Sequence, residues 1–287
     1  MEASYQHISV ERLSPTIGGV ISGPDGAPIN VAAIDAPTFA EIRQAFLDRG
    51  VIFFRDQQLT PESHVEFAAR FGEPEVYPFK NGNINFSPHP SGLDTIVQLA
   101  KDENRPGVEN AWHTDVAWML EPSLGSVLYA RELPDIGGDT LFSDCEAVYN
   151  HLDDHMKAWL ETLEANYDWM HTFGSNLDPD ALAEFRRQHP GSTHPVIRTH
   201  PDTGRKALYL SSIFLKNIVG VTTGEWKPLV AHLESLVARP EFQCRFRWQV
   251  DSVAVWDNRR VQHYAVNDYY PKRRVMDRVT IAGSKPY

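Results

Sequence analysis

The sequence predicts a mainly β chain, an antiparallel jelly roll with helical insertions packed on one face. Two observations predict it. Short runs rich in Val, Ile, Phe and Tyr recur along the chain, bounded by Gly, Pro and Asn turn residues. These runs do not alternate regularly with helical patterns, which excludes the βαβ arrangement of nucleotide-binding folds. Many strands broken by helical insertions suit a two-sheet roll instead.

Taken in chain order, the segment from Asp35 to Leu47 carries Phe39, Ile42, Phe46 and Leu47 on one helical face, and Gly50 ends it. Val51–Phe54 follows as a short buried strand. Thr60-Pro61-Glu62 supplies an N-cap, a proline at the first helical position and an early acid, so a second helix should run to Phe71-Gly72. Strands are expected over 94–100, 126–132, 140–143, 194–200, 206–211, 246–256 and 274–282, and helices over 145–165, 179–188 and 223–237. Asn81-Gly82-Asn83 and the stretch 174–179 have the residues of loops rather than of hinges. No linker, repeat or low-complexity tract divides the chain, so one domain is expected over residues 1–287.

A net charge of −11 argues against nucleic acid as a partner, because phosphate binding needs a basic surface. It does not argue against a small organic anion captured in a local basic pocket. Arg259, Arg260, Lys272, Arg273, Arg274 and Arg278 cluster near the end of the chain; Arg259, Arg260, Lys272 and Arg273 are expected to face solvent. The two cysteines, Cys145 and Cys244, match no zinc spacing and are expected as buried small hydrophobes. No secretory signal is visible, and no apolar run approaches the roughly 20 residues that span a bilayer. A cytoplasmic protein without membrane partners, assembled as a homo-oligomer, is the expectation.

The chemistry is concentrated at His113-Thr114-Asp115, answered by His263 150 residues later. Two imidazoles and one carboxylate can occupy one face of an iron(II) ion and leave the other open. On a strand, residues i and i+2 point the same way, so His113 and Asp115 could grip one metal. The spacing alone is weak: His151 with Asp153 and His200 with Asp202 repeat it. What raises His113 is its setting, a Trp112–Val116 segment followed by Pro122, a buried strand and Gly137-Gly138-Asp139-Thr140. Past His263, Arg274 and Arg278 would share a strand face with Met276 and Thr280. Two arginines buried there without anions would be costly.

These motifs carry a family resemblance over nearly the whole chain. Ile17-Gly18-Gly19, Val51–Arg55, Arg70-Phe71-Gly72, Trp112–Asp115, Gly137–Thr140, His194–His200, Trp256-Asp257-Asn258, Tyr269–Arg274 and Met276-Asp277-Arg278 together resemble one group. It is the taurine dioxygenase group of iron(II)/2-oxoglutarate-dependent dioxygenases, with its alkylsulfate and aryloxyalkanoate members. The resemblance implies a double-stranded β-helix and a metal triad of His113, Asp115 and His263. It implies Fe(II), 2-oxoglutarate and O2, with succinate and CO2 released as a small anionic sulfonate, sulfate or carboxylate is hydroxylated. Arg274 matches the group's anchor for the far carboxylate of 2-oxoglutarate, a task that suits a planar guanidinium fork. Thr140 matches a second cosubstrate contact. Arg278 matches the arginine on the substrate anion, Phe173 and Phe214 match the cavity aromatics, and Val116 matches a residue whose backbone touches the anion.

One departure stands out. Where taurine dioxygenase has a histidine shortly after its Arg-Phe-Gly segment, this chain has Tyr77, followed by a longer, Asn-rich loop over 80–90. Phe79 is a further aromatic candidate there. A ring face in place of an imidazole favours a larger or less polar substrate than taurine. Two other classes use the same three ligands: a zinc hydrolase with a bound water, and a metal-binding jelly roll without catalysis. Neither needs a carboxylate anchor at Arg274.

Overall fold

The structure is a computed structural model and describes residues 5–77, 87–105, 107, 110–174 and 179–287. Phe79 and most of the 80–90 loop lie outside the described residues. Ser9–Arg12, Gly19–Ser22, Val51–Phe54, Val253–Asp257, Gly125–Glu132, Arg274–Ile281, Ile96–Lys101 and Ser87–Pro88 neighbour one another in that order in the main sheet. Its pairings are antiparallel, apart from Gly19–Ser22 beside Val51–Phe54. A second antiparallel sheet is ordered Gln243–Phe246, Thr140–Asp144, Val261–Ala265.

Side-chain alternation explains how the layers stack. In Val51–Phe54 and Val253–Asp257, the residues Val51, Phe53, Ala254 and Trp256 face the second sheet, meeting Phe142, Phe246 and Val261. Phe53 stacks on Phe246 with ring centroids 3.9 Å apart. Ile52, Phe54, Val253 and Val255 point the other way, onto Ile42, Ala45, Phe46 and Phe67 of the helices Ala36–Arg49 and Pro61–Ala69. Both helices start as their sequences dictate. Asp35 accepts from the Thr38 N–H and Thr60 from the Ser63 N–H, with a proline in each first turn. Gly50, at φ +68°, closes the first helix and hydrogen-bonds back to Phe46. The jelly roll with helices on one face is therefore present.

Several expected elements are subdivided. The helix over 145–165 is two helices, Cys145–His151 and Asp154–Leu160, then the strand Glu164–Tyr167. Leu152 is extended and Asp153 caps the second helix, which its short polar side chain does better than it continues the first. The strand over 194–200 is Ser192–Pro195 and Ile197–Thr199, which belong to different sheets. The strand over 246–256 is Gln243–Phe246 and Val253–Asp257, one in each main sheet; the chain crosses between them through a turn with Asp251 at φ +64°. A helix Met170–Phe173 and strands Leu215–Ile218 and Val261–Ala265 carry too few alternating residues to be read beforehand.

The solvent-facing expectation for Arg259 and Arg260 is wrong. Both are 3% exposed. Arg259 is held by Asp257 at 2.7 Å and Asp202 at 2.8 Å, and Arg260 by Asp144 at 2.8 Å and Glu146 at 3.0 Å. Asp257, two residues before Arg259, and the sequence-distant Asp202, Asp144 and Glu146 neutralise them, and no local pattern reveals the distant three. Lys272 and Arg273 are exposed, and both cysteines are buried and unlinked. Among the described residues, no helix is long and apolar enough to cross a membrane.

Candidate metal centre and substrate cavity

His113, Asp115 and His263 come together. One potential ligand atom from each lies within 4.8 Å of the others, and all three residues are buried. The route differs from the expected one. His113 and Asp115 are not alternate residues of a regular strand. His113 forms an isolated antiparallel bridge with His263, each N–H donating to the other's carbonyl at 3.1 and 2.9 Å. The backbone then turns at Asp115, and Val116 sits at φ +47°, a conformation β-branched residues rarely adopt. The bridge sets two ligands side by side and the turn brings the third alongside.

The donor set fits iron(II). His113 Nδ1 lies 2.8 Å from the Ala111 carbonyl, which fixes the tautomer and leaves Nε2 turned toward Asp115 Oδ1 at 3.8 Å. The Nδ1 of His263 is buried without a hydrogen-bond partner among the described residues. Burial, with His113 and Arg278 nearby, pushes His263 down to about 3 against the pull of Asp115, so it stays a neutral donor. Burial by itself would raise the Asp115 carboxyl. Arg278 and the two imidazoles outweigh it and hold the group below its usual range. A carboxylate and two neutral imidazoles are the forms a divalent metal needs.

The triad opens into a cavity of about 380 Å³. Thr140, Arg274, Arg278, Tyr77, Phe173 and Phe214 all line it. Arg274 and Arg278 are on one face of Arg274–Ile281, with Met276 between them turned into the inter-sheet core and Val279 and Ile281 turned away. Gly138, at φ +72°, lies against Arg274; a Cβ there would come within 3.1 Å of its Cδ. That close approach, and the left-handed backbone, account for the paired glycines before Thr140. The Thr140 hydroxyl accepts from the Trp248 indole at 2.9 Å, and the Arg274 guanidinium lies 5.9 Å from the rings of Trp248 and Tyr269.

Arg278 reaches Asp115 Oδ2 at 3.4 Å and stands 4.7 Å over the Tyr77 ring. Burial, opposed by Arg278, pushes the Tyr77 phenol up to about 12, so it remains protonated. Phe173 and Phe214 face each other with centroids 5.9 Å apart. Val116 is the exception: its side chain belongs to the large core cluster and it is not among the cavity-lining residues.

Sequence reasoning missed other parts of the wall. Leu99 and Lys101 line the cavity on alternate positions of Ile96–Lys101, and Lys101 pairs in register with Arg274. Their two-residue spacing is the signal that could have found them. Trp256 and Phe142 bracket His263, with centroids 4.9 and 6.2 Å from its ring. His171, Thr172 and Ile213 come from segments whose approach to the cavity depends on tertiary packing.

Comparison with known proteins agrees with this geometry. The family described as taurine catabolism dioxygenase TauD, TfdA matches residues 9–280. An alkylsulfatase of Acinetobacter baylyi is 34% identical over 97% of this chain and 86% of its own. An alpha-ketoglutarate-dependent sulfate ester dioxygenase of Pseudomonas putida is 33% identical over 98% of this chain and 90% of its own. The crystal structure of a taurine dioxygenase from Burkholderia xenovorans superposes with a TM-score of 0.81 at 33% identity, covering 98% of this chain and 93% of that one. Sequence family, full-length relatives and fold agree on one assignment: the chain belongs to the TauD, TfdA family of 2-oxoglutarate-dependent dioxygenases, whose cofactors are Fe(II), 2-oxoglutarate and O2.

Proposed function

We propose that this dioxygenase acts on organic anions with an apolar body, sulfate esters foremost, and that residues 1–287 form one domain carrying the whole reaction. The observation that carries the reading is a cation beside the triad facing an apolar wall. Arg278 stands beside the triad, and the wall around it includes Leu99, Leu128, Phe173, Ile213, Phe214 and Met276. The names of the two curated relatives support the sulfate ester in particular.

In this reading His113, Asp115 and His263 hold the iron. Arg274, backed by Gly138 and helped by Thr140, takes the far carboxylate of 2-oxoglutarate through a forked contact. Arg278 turns from Asp115 toward the substrate anion, and Tyr77 keeps its guanidinium level by stacking beneath it. The apolar wall excludes water from the target carbon. Bound iron(II) supplies the oxygen chemistry, coupling decarboxylation of 2-oxoglutarate to succinate and CO2 with hydroxylation of the substrate. A carbon hydroxylated next to a sulfate oxygen then splits into an aldehyde and inorganic sulfate.

The test is succinate release, with iron and 2-oxoglutarate held constant, over taurine, alkyl sulfates of rising chain length, alkyl sulfonates and aryloxy acids. Alkyl sulfates should give the highest kcat/KM. Taurine as the best of the panel would overturn the substrate reading. An aryloxy acid in first place would favour a second reading, for which the facing Phe173 and Phe214 rings are the supporting observation. A reducing cytoplasmic setting, which keeps iron(II) reduced, and a homo-oligomer without nucleic-acid or membrane partners complete the proposal.

A further inference from the structure

We infer that Asn258 is a positioning residue that sets the Asp115 ligand, and that the Trp256-Asp257-Asn258 segment aligns two of the three metal ligands from one strand end. The inference rests on the triad being the metal centre.

Asn258 is 1% exposed. Its Oδ1 accepts from the Asp115 N–H at 2.8 Å and lies 2.8 Å from the Thr114 hydroxyl, which is also 2.7 Å from the Asn258 carbonyl. Its Nδ2 donates to the carbonyls of Asp115 at 3.0 Å and Ser123 at 3.1 Å. These partners dictate the orientation of the amide: a backbone N–H needs the oxygen, and two carbonyls need the NH2. One side chain therefore grips the N–H and the C=O of the same ligand residue. Aspartate cannot replace it, because it would set an oxygen against two carbonyls, and alanine removes the side-chain partner of the Asp115 N–H and of the Asp115 and Ser123 carbonyls.

The grip lies next to strained backbone. Val116, directly after Asp115, holds φ +47°. A non-glycine residue persists there only where its surroundings over-determine it. With both backbone polar groups of Asp115 pinned, its Cα–Cβ bond points in a fixed direction, from which the carboxylate reaches the triad. Trp256, two residues earlier and on the same side of the strand, places its ring against His263. Asp257, between them, points the other way and accepts from Arg259 and pairs with His200 at 2.8 Å. The triplet thus anchors the strand end on one side and touches two ligands on the other.

The test is cobalt(II) binding to the full-length apoprotein, by calorimetric titration without 2-oxoglutarate or substrate. Asn258→Ala should bind cobalt(II) about tenfold to a hundredfold more weakly, the usual effect of losing a residue behind a metal ligand. Asn258→Asp should do the same, and it supplies the reading if the alanine variant does not fold. Val230→Ala, in the remote helix Thr223–Val237, controls for lost stability and should bind as the parent does. A loss below about tenfold in the Asn258 variants, or an equal loss in Val230→Ala, overturns the inference. A parent protein that binds no cobalt(II) would instead overturn the metal-centre reading beneath it.

Discussion

On the iron side of the cavity, His113 and His263 are locked by reciprocal backbone hydrogen bonds, and Asp115 is gripped through its own peptide by Asn258. On the opposite side, Phe173, Phe214 and Ile213 turn rings and an aliphatic side chain to the space, from segments whose backbones are hydrogen-bonded away from the triad. Directional bonds hold the triad's backbone at the first wall, and the side chains facing the cavity at the second meet it through apolar surface. Oxygen chemistry demands ligand positions held to a fraction of an ångström. Recognition of an apolar body needs only a space of suitable size and wetness, so side chains there can change while the chemistry persists. Arg278 belongs to both walls, touching Asp115 on one side and Tyr77 on the other.

The comparison breaks first at the rigid wall. His263→Ala should abolish metal-dependent turnover and cobalt(II) binding while leaving the fold, because the backbone bridge to His113 does not use the side chain. Metal titration and circular dichroism check this together. Retained activity would show that the cavity's chemistry does not depend on the triad.

A large effect is also expected behind that wall. Asp257→Ala leaves Arg259 buried with Asp202 as its remaining carboxylate, a change that costs about 3–5 kcal/mol. Burial alone would raise the Asp257 carboxyl. Arg259 and His200 reverse that and drive it far below the usual range, so the pair is charged throughout ordinary pH. Urea denaturation measures the loss, and a midpoint unchanged from the parent would show that the ion cluster is dispensable.

What the sequence made legible follows the same division. The His113-Thr114-Asp115 triplet, the paired glycines and the two arginines four residues apart were visible as short motifs, and the family resemblance rather than their spacing supplied their expected roles. The helix starts at Asp35 and Thr60 were visible as short motifs too. Burial of Arg259 and Arg260 was not, since Asp202, Asp144 and Glu146, which with the adjacent Asp257 neutralise them, lie on other elements. Nor was the bridge between His113 and His263, a contact made by topology rather than by local pattern. Ile213 escaped because it enters the cavity through packing, whereas Lys101 followed the strand spacing of Leu99 and could have been read.

Where the two walls meet, smaller effects separate them. Arg278→Ala should weaken binding of the anionic substrate by about 1.5–3 kcal/mol, the range for a hydrogen bond to a charged group, and change the 2-oxoglutarate requirement less. Arg274→Lys should do the converse, raising the apparent KM for 2-oxoglutarate as a forked contact becomes a point contact. Paired KM measurements on both variants decide the assignment. Equal shifts for both ligands in either variant would merge the two anion sites into one.

The smallest expected effect tests the substrate wall by itself. If apolar volume governs recognition, each methylene added to an alkyl sulfate should gain about 0.8 kcal/mol, near fourfold in kcat/KM, until the cavity is full. Phe214→Ala removes part of that wall and should flatten the slope for long chains while leaving the shortest substrate nearly unaffected. Iron ligation and 2-oxoglutarate binding should not change, since Phe214 packs at a tilt against Phe173 rather than against the triad. A chain-length series on parent and variant, assayed side by side, reads the slope directly. A uniform fall at every chain length would mean that Phe214 supports the rigid wall, and the two sides of the cavity would no longer be separable.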